Sequence, residues 1–183
     1  TLYRYCALKV LENKNKYNEK FIRRVAKSIT LKKLNNKNLY SPEVSELSSI
    51  IAKKIYVRRA LKNFQKNFIK KSKLVIVEGR DIGSKIMVNA DLKLFFTCSI
   101  KEKAKRRLKE FKTLNKNITL KQVEKALIHR DKEDIKRKIS PLIMTKNAVL
   151  VDTTKLTIKE MEHKLIKLVN AKIKIKYGNL QRP

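Results

Sequence analysis

Apolar residues recur at helical spacing through most of this chain, and only a few short stretches break into continuous apolar runs. Val57, Leu61, Phe64 and Phe68 mark one amphipathic helix. Ser41-Pro42 reads as a helix start, with an N-cap hydroxyl and then Pro at the first helical position. Ser99 with Glu102, Thr119 with Gln122 and Thr157 with Glu160 have capping-box spacing, in which each side chain can bond the other residue's backbone N–H. Ala104, Leu108 and Phe111 follow the first box. Val123, Ala126 and Leu127 follow the second, and Met161, Leu165 and Leu168 the third.

The continuous runs are Leu-Val-Ile-Val at 74–77, Leu-Lys-Leu-Phe-Phe at 92–96 and Ala-Val-Leu-Val at 148–151. Each reads as a buried strand, and 29–31 reads as a weaker one. Strands separated by helical segments predict a parallel sheet covered on both faces, an α/β fold. The alternating Lys and Ile from 172 onward, followed by turn residues, predict a loosely held tail.

A chain of 183 residues suits one domain, and 42% hydrophobic content is enough for a core. No stretch is long enough to span a bilayer, and the first residues lack a signal-peptide pattern. The chain does not begin with Met, which points to a fragment or a processed start. Cys6 and Cys98 sit in apolar surroundings and fit no zinc or disulfide spacing, so they read as buried reduced thiols, from which a cytoplasmic location is expected. The net charge of +31 changes the picture most, because alone it points to nucleic acid. The Lys residues are spread along the whole chain, however, and aromatics are not interleaved with Arg as a base-stacking platform requires. The charge therefore reads as a composition bias that brings non-specific polyanion binding at low salt and no specific nucleic-acid partner.

Two constellations carry chemistry. The run at 74–77 leads into Glu78-Gly79-Arg80-Asp81-Ile82-Gly83, where two glycines permit a tight turn beyond the carboxyl end of a strand, the place where open sheets bind ligands. Arg130, Asp134 and Arg137 occur at i, i+4 and i+7, so on a helix they share a face. Two guanidinium forks around one carboxylate can hold phosphate and ribose oxygens together. A solvated charged helix is the alternative for the second group, and a structural Arg–Asp tie for the first.

The order of these elements resembles bacterial cytidylate kinases. The family's Tyr-Arg pair is Tyr3-Arg4, and its Pro-Glu-Val segment with the following Ser, Val-Arg and Gln is Pro42-Glu43-Val44, Ser49, Val57-Arg58 and Gln65. The Gly-Arg-Asp-x-Gly turn is 79–83, the Arg-Arg pair is Arg106-Arg107, and the Arg-Asp-x-x-Asp-x-x-Arg element is 130–137. Pro141-Leu142 and Asp152-Thr153-Thr154 complete the set, so the resemblance covers nearly all of 1–169.

The resemblance implies a P-loop nucleoside-monophosphate kinase fold, a parallel sheet flanked by helices, that phosphorylates CMP or dCMP with ATP and Mg²⁺. It implies a monomer whose core is 1–12, 61–99 and 140–169. The CMP-binding region would be 13–60, the lid and connecting helices 100–139, and the basic tail 170–183. Ser49, Arg58 and Asp81 would contact the base, and Arg4, Arg80 and Arg137 would clamp the CMP phosphate. Arg130 with Asp134 would reach the sugar, and Arg106 and Arg107 would lie near the lid over ATP. Arg80, Arg130 and Arg137 are the groups expected to serve transfer itself, since phosphoryl transfer needs positioning and charge neutralisation more than a general base. His129 and His163 are accordingly not candidates, and no protein metal site is expected. Three departures stand out. No G-x-x-x-x-G-K-[ST] loop occurs in the sequence. The family would place that loop and its strand before Thr1, with the strand in mid-sheet between 74–77 and 92–96, so the chain as it stands is expected to be inactive. Tyr40 also stands where many relatives have Arg, and 13–39 is shorter than in relatives with a larger β insert. A basic nucleic-acid-binding protein and a kinase for another mononucleotide such as UMP are the rival readings.

Overall fold

The computed structural model describes residues 1–113 and 118–178, so the lid expectation at 114–117 and the tail expectation at 179–183 fall outside the described residues. The chain opens with α1 (Leu2–Glu12), α2 (Glu19–Lys27), the single turn α3 (Leu31–Leu34) and a 3₁₀ turn at Lys37–Tyr40. Helices α4 (Pro42–Ile51) and α5 (Ile55–Lys71) follow, and then a π-type turn at Ile82–Ile86. Strand β1 (Lys93–Thr97), α6 (Ile100–Lys112), α7 (Leu120–Lys136), β2 (Ala148–Asp152) and α8 (Ile158–Tyr177) complete the described structure.

Local sequence sets most helix starts. Asn18 caps α2 by accepting from the Phe21 N–H, and Ser41 caps α4 by accepting from Val44, with Pro42 at the first helical position. Thr119 with Gln122 and Thr157 with Glu160 form full reciprocal boxes at the starts of α7 and α8. At α6 the box is only half made. Ser99 accepts from the Glu102 N–H, while the Glu102 carboxylate turns forward to Arg106.

Helices α1, α2, α4 and α5 close around one apolar core. Cys6, Ala7, Val10, Ile22, Ile51 and Leu61 are each at 0% exposure. Packing is densest between α1 and α4 and between α2 and α5. A second, smaller cluster joins α6 to α7 through Ala104, Phe111 and Val123. The strand at 29–31 is not formed: Thr30 instead caps α3, accepting from the Lys33 N–H, so its hydroxyl favours a helix start.

Strands β1 and β2 pair in parallel, Lys93 opposite Ala148 through Thr97 opposite Asp152. The expected strand at 74–77 is absent. Residues 74–77 pair with neither strand of the sheet, and Leu74 and Ile76 are 92% and 97% exposed. Strand structure needs a partner backbone for its N–H and C=O groups, and among the described residues none bonds this run. Residues 172–177, expected in a loose tail, continue α8 to Tyr177, where Lys176 pairs with Asp91 at 2.5 Å. Cys6 is buried as expected, whereas Cys98 is only half-buried, and both are free thiols.

Candidate functional site

Helix α5 presents Arg58 on its second turn, on the face that carries the buried Val57 and Leu61. Its Nε donates to the Ala52 carbonyl at 2.7 Å, and its Nη1 donates to Asp81 Oδ2 at 2.7 Å. Both side chains are 9% exposed. Asp81 sits in the turn after Gly79, where a Cβ would lie 2.8 Å from Ile82 Cγ1. That glycine is favoured by close approach and not by a positive φ. The Tyr3 ring lies 5.4 Å from the Arg58 guanidinium, and burial, foremost, pushes the Tyr3 hydroxyl up to about 12.

Asp134, one helical turn after Arg130 on α7, is the hub of a second group. Its Oδ1 accepts from Arg137 Nη1 at 2.7 Å, while Arg80 Nε lies 3.2 Å and Arg130 Nε 3.9 Å from Oδ2. Arg137 does not share the helical face predicted for it. It is the C-cap residue in extended conformation, and it returns to Asp134 because Nε donates to the Ser140 carbonyl at 2.5 Å, Ser140 itself turning the chain at φ 52. Asp131 pairs with Arg80 Nη1 at 3.2 Å and with Lys103 at 2.8 Å. Burial works to raise the Asp131 carboxyl, but the Lys103 hydrogen bond and the Arg80 charge outweigh it and hold the group below 3.8.

A third group is almost purely cationic. Arg4 Nη1 donates to the Leu39 carbonyl at 3.0 Å, and its guanidinium lies 5.1 Å from the centre of the Tyr40 ring. Arg107 Nη2 donates to the Tyr40 carbonyl at 2.9 Å, and Arg107 also pairs with Glu110. Burial first, and then the Arg107 and Arg130 charges, push Arg4 down to about 10. Burial likewise lowers Arg130, with the Arg80 charge next, and lowers Arg137, with the Arg58 charge next. These arginines outnumber the carboxylates that face them, which leaves a field suited to an anion. Three buried polar atoms have no hydrogen-bond partner among the described residues, and all belong to this cluster: Arg130 Nε, Asp134 Oδ2 and Arg137 Nη2. Orphaned buried polar atoms are rare, and water, an ion or a ligand can supply the missing bonds.

Nearly all of the residues read from the sequence therefore come together. Arg58 and Asp81 face each other, and both charges act on Arg137, which is bonded to Asp134. Arg80 and Arg130 flank the same carboxylate, and Arg4 faces Arg130 and Arg107. Ser49 lies one turn along α4 from Ser45, and its hydroxyl donates to the Ser45 carbonyl at 3.4 Å instead of reaching Arg58 or Asp81. Arg106 is not in the cluster. It donates to the Thr153 carbonyl at 2.8 Å and pairs with Glu102, tying α6 to the loop after β2. Sequence reasoning missed Ser45, Lys103 and Asp131. Asp131 lies beside Arg130 in a motif already singled out, whereas nothing in the sequence distinguishes Ser45 from Ser48 or Ser49.

The described residues hold no group of three His, Cys, Asp or Glu side chains able to bind a metal ion. Asp81, Asp131 and Asp134 are each engaged by guanidinium or ammonium groups, so they do not fit Mg²⁺, and the chemistry of this cluster is that of its own arginines and carboxylates. No helix among the described residues is long and apolar enough to cross a membrane.

The family model described as cytidylate kinase matches residues 1–171. A cytidylate kinase of Thermotoga petrophila is 38% identical over 135 residues, which are 74% of this chain and 61% of that protein. One from Thermosipho africanus is 35% identical over 185 residues, 96% of this chain and 82% of the relative. A bifunctional pantoate ligase/cytidylate kinase of Trichodesmium erythraeum is 44% identical over 127 residues, 69% of this chain and 24% of that protein. The chain thus spans about three fifths of the length of the first relatives it matches.

Proposed function

The chain belongs to the cytidylate kinase family, and from that premise we propose that it carries the acceptor site of an enzyme that moves a phosphoryl group from ATP to CMP or dCMP. The observation that carries this reading is the set of orphaned polar atoms on Arg130, Asp134 and Arg137, enclosed by more guanidinium groups than carboxylates. A phosphate monoester supplies acceptor oxygens to the arginines, and a ribose hydroxyl supplies a donor to Asp134 Oδ2. Arg4, Arg80 and Arg137 hold the acceptor phosphate, and Arg130 with Asp134 holds the sugar. Arg80, Arg130 and Arg137 also offset the charge that builds on the transferring group.

Arg58 and Asp81 form the base-reading pair. Cytosine offers an exocyclic amine to the Asp81 carboxylate and a ring acceptor to the Arg58 guanidinium, and Ser49 joins them only if its hydroxyl leaves the Ser45 carbonyl. Uracil presents a carbonyl in place of that amine, so it leaves the Asp81 carboxylate without a donor. Arg107 spans from α6 toward the 3₁₀ turn and α4, which suits a lid position, and Arg106 supports it from behind by holding α6 to the β2 loop.

ATP and Mg²⁺ are the co-substrate and ion of this reading. The exposed run at 74–77 and the unpaired edge of β1 are the surfaces that a further central strand carrying the ATP-phosphate loop would cover. Phosphoryl-transfer assays with ATP, Mg²⁺ and CMP, dCMP, UMP or AMP, run on the whole enzyme, test the assignment. CMP and dCMP are expected to lead, and equal use of UMP would contradict the base-reading pair.

A further inference from the structure

Ser45 is the one hydroxyl that two arginines of the cluster share. Arg107 Nη2, from α6, lies 3.4 Å from Ser45 Oγ, and Arg130 Nη1, from α7, lies 3.3 Å from it. Both are donors, so the two lone pairs of Oγ are taken and its own proton remains to be placed. The usual outlet for a helical serine is a carbonyl one turn back. Ser48 and Ser49 take that outlet, both donating to the Ser45 carbonyl, at 2.8 and 3.4 Å. Ser45 donates to no acceptor among the described residues, and its half-buried hydroxyl sits where Arg107 and Arg130 meet α4.

We propose that Ser45 is a positioning residue of the acceptor site, which sets the Arg107 and Arg130 forks by accepting from both and gives its own O–H to an oxygen of the acceptor phosphate that Arg4, Arg80 and Arg137 hold. This inference rests on the acceptor-site reading above. It links three helices through one oxygen: α4 supplies the hydroxyl, α6 and α7 supply the guanidiniums, and the anion takes the third hydrogen bond. Arg4, one of the arginines assigned to the phosphate, closes the same space from α1 through its stack on Tyr40. The base plays no part in this contact, which makes the role separable from that of Arg58 and Asp81.

Ser45→Thr keeps the hydroxyl and Ser45→Val replaces it with a methyl group of nearly the same shape, so the pair differs in the hydrogen bonds alone. Calorimetric titration of the full chain and both variants with CMP, and with cytidine, which lacks the phosphate, isolates the phosphate term. The expected result is a loss of about tenfold in CMP affinity for Ser45→Val, unchanged cytidine affinity, and a Ser45→Thr variant close to wild type. In the active enzyme the same change should raise KM for CMP more than KM for ATP. CMP affinity equal in the Val and Thr variants, or a loss shared equally by CMP and cytidine, overturns the role of Ser45. A wild-type chain that binds CMP no better than cytidine overturns the acceptor-site reading itself, and Ser45's role with it.

Discussion

The helical half and the strand half of this chain are built to different degrees of closure. In the first, α1, α2, α4 and α5 bury Cys6, Ala7, Val10, Ile22, Ile51, Val57 and Leu61 completely. In the second, Phe96 on β1 is 49% exposed, Leu150 on β2 is 52% exposed, and α8 contributes no buried residue. Both halves are rich in apolar side chains, so composition does not explain the contrast. Helices joined by short turns find their packing partners within a few dozen residues. Strands bury both faces only when neighbours on either side and helices above and below are in place. The arginine cluster is anchored on the closed half, where Arg58 from α5 reaches across to Asp81, and the contrast teaches that this anchorage does not depend on a completed sheet.

The largest effect is expected at that anchor. Asp81→Ala leaves the Arg58 guanidinium buried without its charge partner, which costs about 3–5 kcal/mol in such pairs. Urea unfolding of the variant checks this, and a loss under about 1 kcal/mol would show that the two halves are not joined there. Next is a direct contrast of cores. Leu61→Ala should lose about 2–5 kcal/mol, while Ile76→Ala, at a site 97% exposed, should stay within about 0.5 kcal/mol. Equal losses at the two sites would mean that 74–77 is buried in solution and that the halves are closed alike.

Smaller effects sharpen the comparison. Thr157→Ala removes the capping box of α8, a helix with little tertiary packing to compensate, and about 1 kcal/mol is expected to be lost. Circular dichroism through the thermal transition should report it as early loss of helix. A pH effect belongs to the cluster. Because the folded Asp131 carboxyl lies below its ordinary 3.8, its pairing with Lys103 and Arg80 stabilises the fold above that value. The contribution declines as pH falls through 3.8 toward the folded value. Asp131→Asn should therefore be less stable than wild type at pH 6, with the gap closing as the pH is taken well below 3.8, as equilibrium unfolding at a series of acid pH values would show.

The helices were legible because their signals are local. Thr119 and Thr157 announce their boxes within four residues, and the order of motifs brought Arg58, Asp81, Arg130 and Asp134 to one place. Where the signal is not local, the sequence misled. Leu-Val-Ile-Val at 74–77 has strand composition, but pairing is decided by what lies beside it. Arg137 kept its expected partner by a route that spacing does not encode, through the turn at Ser140. Arg106 and Arg107 are adjacent and chemically identical, yet one points back to the β2 loop and the other into the site, because neighbours on a helix are about 100° apart.

Amide hydrogen exchange with and without CMP tests the central claim most directly. Protection is predicted in the first turns of α1 and α4, in residues 79–83 and across 130–137, all of which carry cluster residues, while α2 and α8 remain unchanged. Protection by CMP confined to the lysine-rich segment at 28–37, or no protection at any of the cluster segments, would contradict the assignment of this arginine–carboxylate cluster as the acceptor site.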